Sequence, residues 1–199
     1  MQVLNASDLL FPHRFLKPWG LHGGGFFWTC NLSIRTDVLR AVNGFDEATF
    51  HDAICEDIEL GFRLQKRGIQ VLYVPEAKCE HDHYISPEAY ARRGRKQGIN
   101  MVKLANIHGW HHIQLDEKQC TAHDFLHERR KDFHRMKPKA ERIMALLMRI
   151  ESRSKPCTVT ELEKIQYAAL WIDRTEYFGG LVDELQRTLD AESPQPVFI

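Results

Sequence analysis

The chain lacks a net charge, since 27 basic residues balance 27 acidic ones over 199 residues. That balance argues against a general nucleic-acid binder, which needs a basic excess, although local basic patches remain. It lacks any Cys-x-x-Cys pair. Its five cysteines, Cys30, Cys55, Cys79, Cys120 and Cys157, are scattered and odd in number. Neither a disulfide framework nor a zinc ribbon is therefore expected, and a reducing compartment suits them best. Long apolar runs are missing too. Stretches such as Tyr167 to Ile172 fall far short of the roughly 20 residues that span a bilayer. The start, Met1-Gln2-Val3-Leu4-Asn5, has neither the basic residues nor the apolar core of a signal peptide. The expectation is a cytoplasmic protein, with peripheral contact at a membrane left open. Repeats and low-complexity segments are also absent.

What is present supports a packed core: 43% of residues are hydrophobic and 10% aromatic. The length suits one large domain, or one domain with an appendage. Residues 1–108 mix short strand and helix signals. Gly23-Gly24-Gly25 leads into the aromatic run Phe26 to Cys30, which reads as a strand. Thr36 reads as an N-cap, and Asn43-Gly44 as the stop of a short helix. A second helix begins at Glu56-Asp57, anchored by Ile58, Phe62 and Leu64 and ended by Gly68. A strand over Ile69 to Val74 closes at Pro75. Helix, glycine and strand in that order indicate an α/β arrangement. Ser86-Pro87-Glu88 opens a helix running toward Ile107.

Residues 122–192 read as a helical extension. Ile143, Leu146, Leu147 and Ile150 recur at helical spacing, and Thr158 to Glu161 fits a capping box. Leu162, Ile165, Ala169 and Ile172 form a second stripe, which Gly179-Gly180 interrupts. Such stripes fill cores or, alternatively, join two copies of a chain.

Glu56-Asp57 is the pair most suggestive of chemistry. A carboxylate in a first helical turn meets unpaired backbone N–H groups and the positive end of the dipole. It is then held in place to accept a proton. The plain alternative is a capping carboxylate that serves stability alone.

The order of several motifs resembles family-2 glycosyltransferases. Trp28-Thr29-Cys30-Asn31-Leu32-Ser33-Ile34-Arg35 resembles a strand of that family. Val42-Asn43-Gly44-Phe45-Asp46-Glu47 resembles its "GGFDE" turn, with Asn43 in place of the first glycine. Glu56-Asp57-Ile58-Glu59-Leu60 with Arg63 resembles its "ED-x-x-L-x-x-R" helix, and Tyr73-Val74-Pro75-Glu76-Ala77 with His81 its strand, proline and histidine. The likeness covers about residues 20 to 105. It implies a partial GT-A-like α/β fold, half of a nucleotide-diphospho-sugar transferase, with an α-helical C-terminal extension. It also implies inverting transfer from a nucleotide-diphosphate sugar to a glycan or lipid-linked acceptor. Asp57 would be the base and Glu56 would shape the acceptor site. His81 would help hold Mg²⁺ or Mn²⁺, with His83 as a weaker second.

Asn31 and Trp28 fall in the strand that the likeness places at the acceptor. Gly24 and Gly25 lack the Lys-Ser/Thr ending of a phosphate-binding loop and are expected instead as a flexible loop at the acceptor cleft. Trp19, Trp28 and Phe27 offer a sugar-stacking face or core packing. Arg92, Arg93, Arg95 and Lys96 suit either phosphate contact or a solvated helix face. The histidines between His108 and His134 are irregularly spaced and define no metal site.

One expected part is missing. The family's donor half carries an Asp-x-Asp motif, and no Asp-x-Asp occurs in this sequence. Only about 20 residues precede the likeness, too few for a βαβ unit whose crossover alone needs about a dozen. The expectation is an acceptor and catalytic half without its donor half: a truncated frame, a cut chain or one piece of a split enzyme. No nucleic-acid partner is expected, and a homodimer is the alternative use of the helical stripes.

Overall fold

The computed structural model describes residues 13–80, 85–109, 122–152 and 158–192. The chain divides into two compact units, Met1–Tyr84 and Ile85–Ile199. The helix that opens at Pro87 packs with the helices after it, so the division precedes that helix, whereas the sequence pattern placed it after residue 108.

In the first unit the described sheet has two short strands. β1 (Leu21–His22) pairs antiparallel with β2 (Val71–Leu72), Leu21 opposite Leu72 and His22 opposite Val71. Two further backbone bonds extend the pairing, Trp19 N–H to the Tyr73 carbonyl at 2.9 Å and Tyr73 N–H to the Gly20 carbonyl at 3.1 Å. This small sheet among helices is compatible with a partial α/β fold. The strand expected over Phe26 to Cys30 does not form. Gly24–Phe26 is a 3-10 turn instead, because Gly24 is pressed against the backbone of the helix that follows.

α1 (Thr36–Ala41) has Arg35, not Thr36, at its N-cap. It stops where expected: Asn43 and Gly44 both take positive φ, 61° and 63°, and Gly44 N–H returns to the Leu39 carbonyl at 3.1 Å. α2 (Glu56–Lys66) follows, and Gly68 at φ 79° turns the chain out of it. The anchors differ in part from those expected. Leu60 and Leu64 are buried against Phe27 and Val42, while Ile58 and Phe62 are only half-buried. Burying two leucines contributes on the order of 2 kcal/mol each.

The described residues of the second unit form three helices: α3 (Pro87–His108), α4 (Ala122–Glu151) and α5 (Val159–Glu192). Ser86 caps α3 by accepting the Ala89 N–H at 3.2 Å. The expected capping box starts α5, with Thr158 N–H donating to Glu161 at 2.9 Å and Glu161 N–H to the Thr158 hydroxyl at 3.3 Å. α5 packs against both α3 and α4. Val102, Leu126, Met136, Phe178, Leu181 and Leu185 form most of this core, while Leu146, expected on the packing stripe, is exposed.

Gly179-Gly180 does not break α5. Both glycines are buried within it, and a Cβ on Gly180 would overlap the Arg95 carbonyl of α3. In return, a Cβ on Gly98 would overlap the Tyr177 carbonyl, and one on Gly94 would lie 2.8 Å from the Asp173 carboxylate. The glycines let the two backbones touch, a use of glycine that a turn-based expectation overlooks.

Candidate functional site

The site is built around the start of α2. Asp46 folds the preceding loop by accepting the Thr49 N–H at 3.1 Å, and this bond, with the Thr49 side chain foremost, holds its carboxyl below the usual range. Phe50 is buried behind it. The chain then enters α2 through Cys55, buried and left-handed at φ 70°, with no side-chain cap. A non-glycine residue in that region is uncommon and carries strain of about 1 kcal/mol or more.

That turn presents Glu56 and Asp57, both half-buried. One Asp57 oxygen accepts the Ile58 N–H at 2.8 Å, and the other accepts the Thr29 N–H at 3.3 Å. The second bond ties the carboxylate to the Trp28–Asn31 segment and fixes its plane. An oriented carboxylate at the positive end of a helix is equipped to take a proton from an approaching hydroxyl.

Two fittings hold this turn. Glu59 is buried at 2% exposure and accepts from Arg63 Nε at 2.8 Å and Nη2 at 2.7 Å. Arg63 also donates to the carbonyls of Val42 and, at 2.7 Å, Gly44. It is thus a scaffold clamp between α2 and the end of α1. On the opposite side, Gly24 N–H donates to Gln65 at 2.6 Å, and a Cβ on Gly24 would overlap Gly61. Gly24 is therefore a seat for α2, not a flexible acceptor loop. Gly25 lies half-buried beside the Phe62 ring.

The other expected acceptor residues divide. Asn31 is exposed beside the Asp57 turn, and its side-chain NH₂ donates to the Ala77 carbonyl at 2.7 Å. Next to it the Cys79 thiol reaches the Cys30 carbonyl at 3.9 Å. Desolvation of its sulfur, then the neighbouring Cys79 and Asp57, push the Cys30 thiol up. Trp28 sits in a cluster of rings, 5.6 Å from both His13 and Phe26. Phe27 belongs to the core, and Trp19, at φ 55°, is 60% exposed.

His81 and His83 lie outside the described residues. Among the described residues no group of three His, Cys, Asp or Glu side chains can hold a metal ion. Sequence reasoning missed the Thr29 N–H, Gln65 and the depth of Glu59. Only Glu59 left a signal, its spacing of four from Arg63 on one helix.

The second unit has its own concavity, a cleft of about 750 Å³ between α4 and α5 with Gln97 of α3. Arg129, Arg135, Arg174, Tyr167 and Trp171 line it over Asp173, whose carboxyl burial raises to about 6 against the pull of Arg93. Of the basic run on α3, Arg95 is committed to Glu176 at 3.3 Å and to Asp183, while Arg92 and Lys96 are exposed. Among the described residues no helix is long and apolar enough to cross a membrane.

A family model described as "Glycosyl transferase family group 2" matches residues 9–171. The match extends well beyond the region carrying the motifs, through α4 and into α5. No curated protein and no solved structure matches the chain.

Proposed function

The chain belongs to glycosyl transferase family group 2, and from that premise we propose that it transfers a sugar from a nucleotide-diphosphate sugar to an acceptor hydroxyl with inversion. The observation that carries the proposal is the Asp57 carboxylate, set at the head of α2 and oriented by the Thr29 N–H at 3.3 Å. A sugar hydroxyl is a poor nucleophile until its proton has a place to go. Asp57 takes that proton as the hydroxyl oxygen bonds to the anomeric carbon. The diphosphate leaves from the opposite face, so the configuration inverts. Glu56, Asn31 and the open ring of Trp19 border the acceptor side.

The first unit supplies the acceptor side. The described residues offer no metal ligand set; the expected Mg²⁺ or Mn²⁺ would rest on His81 and would offset charge on the departing diphosphate. The test is a transfer assay across nucleotide-diphosphate sugars, with the anomeric configuration of the product read by NMR. An inverted linkage with release of nucleoside diphosphate is expected. A product of retained configuration overturns the proposal.

A second reading has its own observation, the cleft of rings and cations between α4 and α5. It suits a non-catalytic protein that binds a glycan or a protein partner. Calorimetry separates the two: glycan binding lost on Trp171→Ala, without any nucleotide-sugar binding, favours the second.

A further inference from the structure

Five cysteines are too few and too scattered for a structural framework, yet two of them meet. Cys30 and Cys79 stand 49 positions apart in sequence and are both exposed free thiols. The Cys79 sulfur lies 3.9 Å from the Cys30 carbonyl. Asn31, bonded to the Ala77 carbonyl at 2.7 Å, already fastens the same two segments together. The two cysteines therefore stand on neighbouring segments that are already fastened to each other. Cys55, the remaining described cysteine, is buried and takes no part.

We propose that Cys30 and Cys79 are a redox modification site, forming a reversible disulfide beside the Asp57 carboxylate. The oxidant is a low-molecular-weight disulfide such as oxidised glutathione. Cys79, an exposed thiol, makes the first attack. Its thiolate attacks one glutathione sulfur and expels the other as glutathione. The Cys30 sulfur then attacks the mixed disulfide, loses its proton to solvent and expels the second glutathione. Two protein thiols become one disulfide, and one glutathione disulfide becomes two thiols. A reducing milieu keeps the pair open, and an oxidising shift closes it.

The inference that the link bears on transfer rests on the Asp57 reading, whereas the link itself does not. The reduced full chain is incubated with oxidised glutathione, alkylated, digested and read by mass spectrometry. A peptide joining Cys30 to Cys79, removed by dithiothreitol, is the expected result. Closing so long a loop also raises Tm by about 8 °C or more. Cys30→Ser and Cys79→Ser each leave a glutathione adduct on the remaining thiol and no rise in Tm. Persistent adducts on both cysteines of the wild type, or pairing with Cys55, Cys120 or Cys157 instead, overturn the proposal. A linked peptide from a protein that transfers no sugar in either redox state supports the link and counts against the transferase reading alone.

Discussion

The two units hold their structure by opposite means. Among the described residues of the first, two strands of two residues each, two 3-10 turns and two short helices leave most of the backbone outside regular ladders. Single polar contacts do the positioning: Arg63 bridges Glu59 to two carbonyls, Gln65 holds the Gly24 N–H, and Asn31 holds Ala77. The described residues of the second unit form three long helices with α5 against both others, and Gly94, Gly98 and Gly180 remove side chains from the contact of α3 with α5. Candidate chemistry gathers in the first kind of structure. Irregular backbone leaves N–H groups such as that of Thr29 available to aim a side chain, whereas a helix interior consumes its own.

The largest effect expected from breaking this contrast is at Arg63. Arg63→Ala takes a bidentate cation from the buried Glu59 carboxylate and a donor from the Val42 and Gly44 carbonyls, a cost of about 3–4 kcal/mol. Hydrogen exchange should show protection lost across α1 and α2 while α3 to α5 keep theirs. Equal loss in both units would mean that the first unit is not held by its own clamp. Gly180→Ala attacks the other kind of structure. The added methyl meets the Arg95 backbone, which cannot swing aside, and destabilises the second unit by about 3 kcal/mol. Urea unfolding measures it, and a change of under about 0.5 kcal/mol would show that the helices do not pack this closely.

Asp173→Asn sharpens the contrast with an effect of opposite sign that depends on pH. Burial raises the Asp173 carboxyl from 3.8 to about 6 in the folded chain. The folded state therefore binds the proton more tightly. Its contribution to stability is complete below the unfolded value and is lost as pH rises through 6. At neutral pH the buried charge costs up to about 3 kcal/mol. The asparagine variant should melt several degrees higher at neutral pH and show no gain in acid. A variant that melts lower at neutral pH would contradict the assignment.

These contrasts also explain what the sequence disclosed. Caps and stops were legible because they are local: Ser86, Thr158 with Glu161, and Asn43-Gly44 satisfy backbone groups within a few residues. The Glu56-Asp57 turn was legible for the same reason. Glycine was misread twice. Gly23-Gly24-Gly25 and Gly179-Gly180 look like loop residues, but their partners, Gly61 and Arg95, are distant in sequence, and close backbone approach leaves no local mark. The aromatic run after Gly25 read as a strand. Only Phe27 enters the core, while Phe26 and Trp28 join a ring cluster with His13. The Thr29 N–H could not be foreseen, since a backbone donor belongs to no residue type.

The central claim is that the carboxylate held by Thr29 takes the acceptor's proton, and one measurement reaches it directly. Sugar transfer by Asp57→Asn, which keeps the shape and loses the base, is compared with that of the wild type at matched folding. The account predicts a fall in kcat of about 10²-fold or more with Tm little changed. Transfer at the wild-type rate by the asparagine variant would contradict it.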